Sequence, residues 1–133
     1  MTVLRTLVVD DHVDFRRLAQ VLLEEIEGVE LVGLGADGEE AIHLCEELRP
    51  DLLLMDLSMP RMGGIQATRL IKAQDDAPLI AIVSIYDDSE HRAHASRAGA
   101  DAFINKADFL GSVARLIDNL QEGGNVHFAN SAA

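Results

Sequence analysis

The chain predicts an α/β domain, a parallel sheet with helices packed on both of its faces. Three observations carry this. Apolar runs of strand length alternate with amphipathic helical patterns along the whole chain. Two of the runs, Leu52-Leu53-Leu54-Met55 and Leu79-Ile80-Ala81-Ile82-Val83, are continuously apolar, which is how strands buried on both faces read. Turn residues fall between the segments, and 133 residues suffice for one domain with a sizeable core but not for two.

The first unit is a strand over Leu4–Val9 and a helix whose apolar residues Phe15, Leu18, Ala19, Leu22 and Ile26 recur at helical spacing until Gly28. A strand over Val29–Leu34 follows, then a helix carrying Ala41, Leu44, Cys45 and Leu48, closed by Arg49-Pro50. The third strand spans Leu52–Leu57; its helix is marked more weakly by Ile65, Thr68 and Ile71 and ends before Ala77-Pro78. The fourth, Leu79–Ser84, leads to a helix from about Ser89 to Ala98 that offers the core mainly Ala93, Ala95 and Ala98. After Gly99 come the last strand, Ala102–Asn105, and a helix striped by Phe109, Val113, Leu116, Ile117 and Leu120. Residues 1–121 therefore form the expected domain, and 122–133, where periodicity is lost, a tail or the start of a linker.

Composition narrows the function. Hydrophobic residues make up 48% and charged residues 26%, an ordinary globular balance. No apolar run approaches the ~20 residues of a membrane span, and the N-terminus lacks a signal peptide's basic start. The chain reads as soluble and cytoplasmic, with no membrane partner. Eleven Lys and Arg against 23 Asp and Glu give a formal charge of −12, which repels nucleic-acid phosphates and argues against direct DNA binding. Cys45 is the single cysteine and belongs to an apolar stripe, so it reads as a small buried residue.

Acids at strand ends carry the chemistry. Asp10 and Asp11 follow the first strand and Asp56 ends the third; in an open parallel sheet, ligands bind beyond these carboxyl ends. Three converging carboxylates repel one another unless a cation joins them, and Mg²⁺ is the hard ion that suits carboxylate oxygens. Helix capping by Asp11 or Asp14 would account for one acid, but not for an adjacent pair plus a third on another strand. Ser84 and Lys106 lie at the ends of the fourth and fifth strands on the same rim. A metal, an ammonium, a hydroxyl and a carboxylate around one point suit a phosphoryl group, with Asp56 as its nucleophile. His12, beside the acid pair, reads as a rim histidine in solvent; His91 and His94, three apart on one helix, lack a third metal ligand and read as exposed surface.

With these residues in view, the chain resembles the receiver domain of bacterial response regulators. The motifs are "VDDH", "LLLMDLSMPRMGG" around Asp56, Ser84 after an apolar strand, and "AGADAFINKAD" with Lys106; the likeness runs from about Leu4 to Leu120. The resemblance implies a doubly wound, flavodoxin-like sheet of strand order 2-1-3-4-5, the order found in flavodoxin and in a chemotaxis receiver. It implies that Asp56 accepts a phosphoryl group from a sensor histidine kinase in a Mg²⁺-dependent reaction, with Mn²⁺ a possible substitute. Asp11, Asp56 and the backbone carbonyl of Ser58 would ligate the ion, and Asp10 would act mainly through water. Lys106 would pair with the phosphoryl group, Ser84 would move to hydrogen-bond it, and Phe103, at the switch position, would turn inward. Ser58 and Tyr86 would flank the path of the hydrolytic water and set the lifetime of the phosphorylated state, the Tyr86 ring obstructing it. The chain would act as a phosphoacceptor rather than as an enzyme, changing an output surface on the fourth helix, fifth strand and fifth helix. A homodimer on phosphorylation through the fourth and fifth helices is a further expectation.

Three departures stand out. Ser84 replaces a common Thr, Phe103 replaces a common Tyr, and Ala107 follows Lys106 where many relatives have Pro. The "NKAD" ending and the "EGGNVHF" segment are similar to the LuxR/NarL-like class, which implies a transcription regulator whose DNA-binding module is absent from this chain. A stand-alone receiver acting by protein contact is the alternative. An Asp-nucleophile phosphatase would commonly place a second acid at position 58, which is Ser58 here. A flavin site would put phosphate against Asp10 and Asp11, and a cobalamin site reading Asp10-Asp11-His12 would want glycine where Phe15 stands.

Overall fold

The computed structural model describes residues 3–123. Five strands, β1 (Leu4–Val9), β2 (Val29–Gly35), β3 (Leu52–Asp56), β4 (Leu79–Ser84) and β5 (Ala102–Asn105), form one sheet. All neighbouring pairs are parallel, and the order is β2-β1-β3-β4-β5, as expected. The helices are α1 (Val13–Glu24), α2 (Gly38–Leu48), α3 (Gly64–Lys72), α4 (Ser89–Ala98) and α5 (Phe109–Gln121), with a 3₁₀ turn over Lys106–Asp108. Residues 124–133, most of the expected tail, lie outside the described residues.

Alternate side chains of each central strand point to opposite faces, so the sheet feeds two cores. Leu7, Val9, Leu53, Met55, Ile80 and Ile82 meet Ala41 and Cys45 of α2, Ala67 and Ile71 of α3, and Ala95 of α4. Val8, Leu52, Leu54, Ala81, Val83 and Ile104 meet Ala19 and Leu23 of α1 and Phe109, Val113 and Ile117 of α5. A fully buried Leu, Ile or Phe contributes about 1.5–3 kcal/mol, so α5 is firmly seated. By contrast α4 fully buries only Ala95 and Ala98, and Ala93 stays half-buried.

Several bounds move by a residue or two. Strand β3 stops at Asp56 because Leu57 begins the loop to α3, and β2 runs on to Gly35. Leu18, counted in the first apolar stripe, is 49% exposed, and Ile26 lies beyond the end of α1, where it packs against the second core.

Candidate functional site

Strand register builds the site. Val9 pairs with Met55, so the residues that follow them, Asp10 and Asp56, leave the sheet side by side. Asp56 pairs with Val83, and Ser84 with Asn105, which places Ser84 and Lys106 at the next steps along the same rim. The sheet order reverses between β1 and β3, so the pocket lies at the switch point of the fold. Asp10, Asp56 and Ser84 are buried.

Lys106 Nζ lies 2.7 Å from Asp10 Oδ2 and 3.7 Å from Asp56 Oδ1. Its ammonium also sits 4.5 Å from the centroid of Phe15, which packs edge-on against Phe109, so apolar rings hold a largely buried lysine on the acids. Asp10 Oδ1 accepts the His12 amide at 2.8 Å, and the Arg16 guanidinium donates to the Asp10 carbonyl at 2.6 Å. Burial, then the neighbouring Asp10 charge, raise the Asp56 carboxyl to about 6 from its ordinary 3.8, with Lys106 opposing them.

Neither Asp11 nor Asp14 caps α1: the N-cap is His12, which makes no side-chain cap hydrogen bond. Asp11 Oδ1 is buried and accepts no hydrogen bond. Ligand atoms of Asp10, Asp11, His12 and Asp56 lie within 4.8 Å of one another. Hard carboxylate oxygens, one of them buried without a hydrogen bond, and an Asp56 whose charged form is disfavoured together fit a divalent cation such as Mg²⁺. His12 is not simply in solvent. Its side chain is 67% exposed, yet Nδ1 lies 3.1 Å from Asp10 Oδ1 and 3.4 Å from Asp11 Oδ1.

Ser84 Oγ accepts the Tyr86 amide at 2.9 Å, so its own proton is free for a partner in the pocket. The Tyr86 ring is half-exposed and stacks on His91 with centroids 5.3 Å apart. Phe103 is already inside, 3% exposed, beneath the Arg92 guanidinium at 4.8 Å; a ring without a hydroxyl has nothing to keep in water. Asp87 joins this corner: it pairs with Arg92 and accepts Asn105 Nδ2 at 3.0 Å. The Ala107 amide, which a proline would lack, donates to Asn105 Oδ1 at 2.9 Å. Ser58 is exposed in the loop after β3.

Sequence reasoning missed Asp87, Arg92, Asn105, Phe15 and Arg16 at the rim, because no local spacing announces a contact made across loops. His91 pairs with Asp88 at 2.6 Å and His94 is exposed; neither belongs to a metal-competent cluster among the described residues. Burial, then Glu46, push the Cys45 thiol up to about 11, so it is inert at neutral pH.

The family model of the response regulator receiver domain matches residues 6–118. Over 121 residues the chain is 41% identical to the protein-glutamate methylesterase/protein-glutamine glutaminase of Alkalilimnicola ehrlichii, covering 89% of this chain and 31% of that protein. It is 32% identical over 122 residues to the transcriptional regulatory protein DegU of Brevibacillus brevis, covering 91% of this chain and 51% of that one. The crystal structure of a LuxR-family two-component response regulator from Aurantimonas sp. SI85-9A1 superposes with a TM-score of 0.88 at 32% identity, covering 98% of this chain and 94% of that chain. The chain spans about half or less of the length of the two curated relatives. Among the described residues, no helix is long and apolar enough to cross a membrane.

Proposed function

This chain belongs to the response regulator receiver family, and from that premise we propose that Asp56 is its phosphoacceptor, phosphorylated by a sensor histidine kinase. A carboxylate oxygen of Asp56 attacks phosphorus, the bond from phosphorus to the kinase imidazole nitrogen breaks, and the imidazole leaves with the electron pair. The observation that carries the reading is the juxtaposition of buried Asp10 and Asp56 with half-buried Asp11, with Lys106 between Asp10 and Asp56.

Asp11, Asp56 and the Ser58 carbonyl are the groups that would hold Mg²⁺, or Mn²⁺ in its place, with Asp10 contributing through water. When bound there, the ion would supply neutralisation of the charge on the phosphoryl oxygens. Lys106, 3.7 Å from Asp56 Oδ1, would pair with the new phosphoryl group. When Ser84 donates its hydroxyl proton to that group, its hold on the Tyr86 amide changes, and the segment bearing Tyr86, Asp87 and α4 is pulled with it. The readout surface is accordingly α4, β5 and α5.

The likeness to DegU and to the LuxR-family structure supports a transcription regulator whose DNA-binding module lies outside this chain. The likeness to a methylesterase over 89% of this chain favours, as the second reading, a catalytic output in a separate domain. Either way this domain is the phosphoacceptor and not the effector. A stand-alone receiver would act by protein contact alone.

Intact mass after incubation with acetyl phosphate and Mg²⁺ tests the proposal. One phosphoryl adduct is expected, absent from Asp56→Asn and from an EDTA control; steady turnover of acetyl phosphate without an adduct would indicate a phosphatase instead. Followed over time, the adduct should decay several-fold faster in Tyr86→Ala, because the ring shields the acyl phosphate from water. An unchanged decay would remove Tyr86 from this role.

A further inference from the structure

We propose that the Asp37–Arg61 ion pair is a positioning device for the phosphoacceptor pocket, holding the loop between β3 and α3 so that the Ser58 carbonyl faces a divalent cation. The inference rests on the reading of Asp56 as a Mg²⁺-dependent phosphoacceptor. The loop begins directly after Asp56 and is tied at two places. At its base the Gly64 amide donates to the Leu57 carbonyl at 2.8 Å, and a Cβ on Gly64 would stand 2.2 Å from the Asp56 carbonyl oxygen. Its far arm rests on the start of α2: the Gly38 amide donates to the Met62 carbonyl at 2.9 Å, and a Cβ on Gly38 would stand 2.6 Å from that oxygen. Ser58 lies between the two ties.

Asp37 locks the far arm. Its Oδ1 accepts the Glu40 amide at 2.9 Å as the N-cap of α2, and its Oδ2 accepts Arg61 Nε at 3.0 Å and Arg61 Nη2. Arg61 takes a φ of 64°, a backbone conformation side chains rarely adopt, so the chain bends sharply at the point where the guanidinium reaches α2. The Asp37 side chain is 4% exposed and that of Arg61 65%. Because Asp37 is buried and meets Arg61 through two guanidinium nitrogens, the pair selects one posture of the loop. The Glu40 amide and then Arg61 hold the Asp37 carboxyl below its usual range, which keeps the acceptor charged wherever the pocket works.

The test is Mg²⁺ affinity by calorimetry on the unmodified chain and on Arg61→Gly, Arg61→Lys and Asp37→Asn. Glycine accepts the positive φ and asparagine still caps α2, so both variants remove the pair while sparing the local fold. The pair touches no ligand directly, so the expected loss in Arg61→Gly and Asp37→Asn is the low end of that seen for outer-shell changes, about tenfold, with partial recovery in Arg61→Lys. The acetyl phosphate reaction should recover at saturating Mg²⁺, placing the defect in binding. Mg²⁺ affinities within about twofold of the unmodified chain, whatever happens to the melting temperature, overturn the proposal, because a mere brace would not move metal binding by the expected margin. Absence of Mg²⁺ binding in the unmodified chain is a different result: it overturns the phosphoacceptor reading, and this inference with it.

Discussion

Ionising Asp56 in the cation-free domain works against folding. Its carboxyl holds a proton up to about pH 6 in the folded chain, against 3.8 ordinarily, for want of solvent and because Asp10 is near. The folded state therefore binds more protons than the unfolded state between these values, and stability falls as pH rises through that window. Above it the loss is complete. Asp56→Asn should then raise stability at pH 7 in EDTA by about 1–3 kcal/mol, and the gain should vanish by about pH 4. Urea unfolding at the two pH values checks this; equal stabilities at pH 7 would mean that Asp56 is better solvated than its burial indicates. The same residue would tie fold to chemistry under the proposed function, since a cation held beside Asp56 would relieve the repulsion and favour its carboxylate form.

Polar links, rather than apolar burial, seat α4 on the sheet. Asp87 reaches both Arg92 on α4 and Asn105 on β5, and Arg92 lies over Phe103, while Ala95 and Ala98 add little buried area. A helix held this way shifts when the segment before it moves, as Ser84 would make it do. Removing the link with Asp87→Ala should cost about 1–1.5 kcal/mol locally, a roughly tenfold faster amide exchange in α4, and leave β3 unchanged. Protection of α4 as strong as in the unmodified chain would show that the alanine contacts suffice. Periodicity read this helix correctly from Ser89 to Ala98, and likewise β1, β4 and β5, because apolar spacing and Gly or Pro punctuation coincide there. It could not read Asp87 with Asn105 or Asp37 with Arg61, since those pairs depend on loop paths that residue spacing does not encode.

For the molecule as a whole, a formal charge of −12 opposes self-association until salt screens it. If the phosphorylated domain pairs through α4 and α5, sedimentation should show a dimer that grows with both phosphorylation and ionic strength; a monomer throughout would exclude pairing through these helices. The acids and Lys106 at the rim were legible because each terminates an apolar run, and their meeting follows from a strand order that the family resemblance supplied. Their dispersal along the chain has a consequence for synthesis. The groups come from the ends of β1, β3, β4 and β5, from Asp10 to Lys106, so no shorter contiguous stretch contains them all. A nascent polypeptide on the ribosome thus has no complete pocket until Lys106 has emerged and the last strand has docked, and a chain interrupted before that point lacks the ammonium that pairs with Asp10.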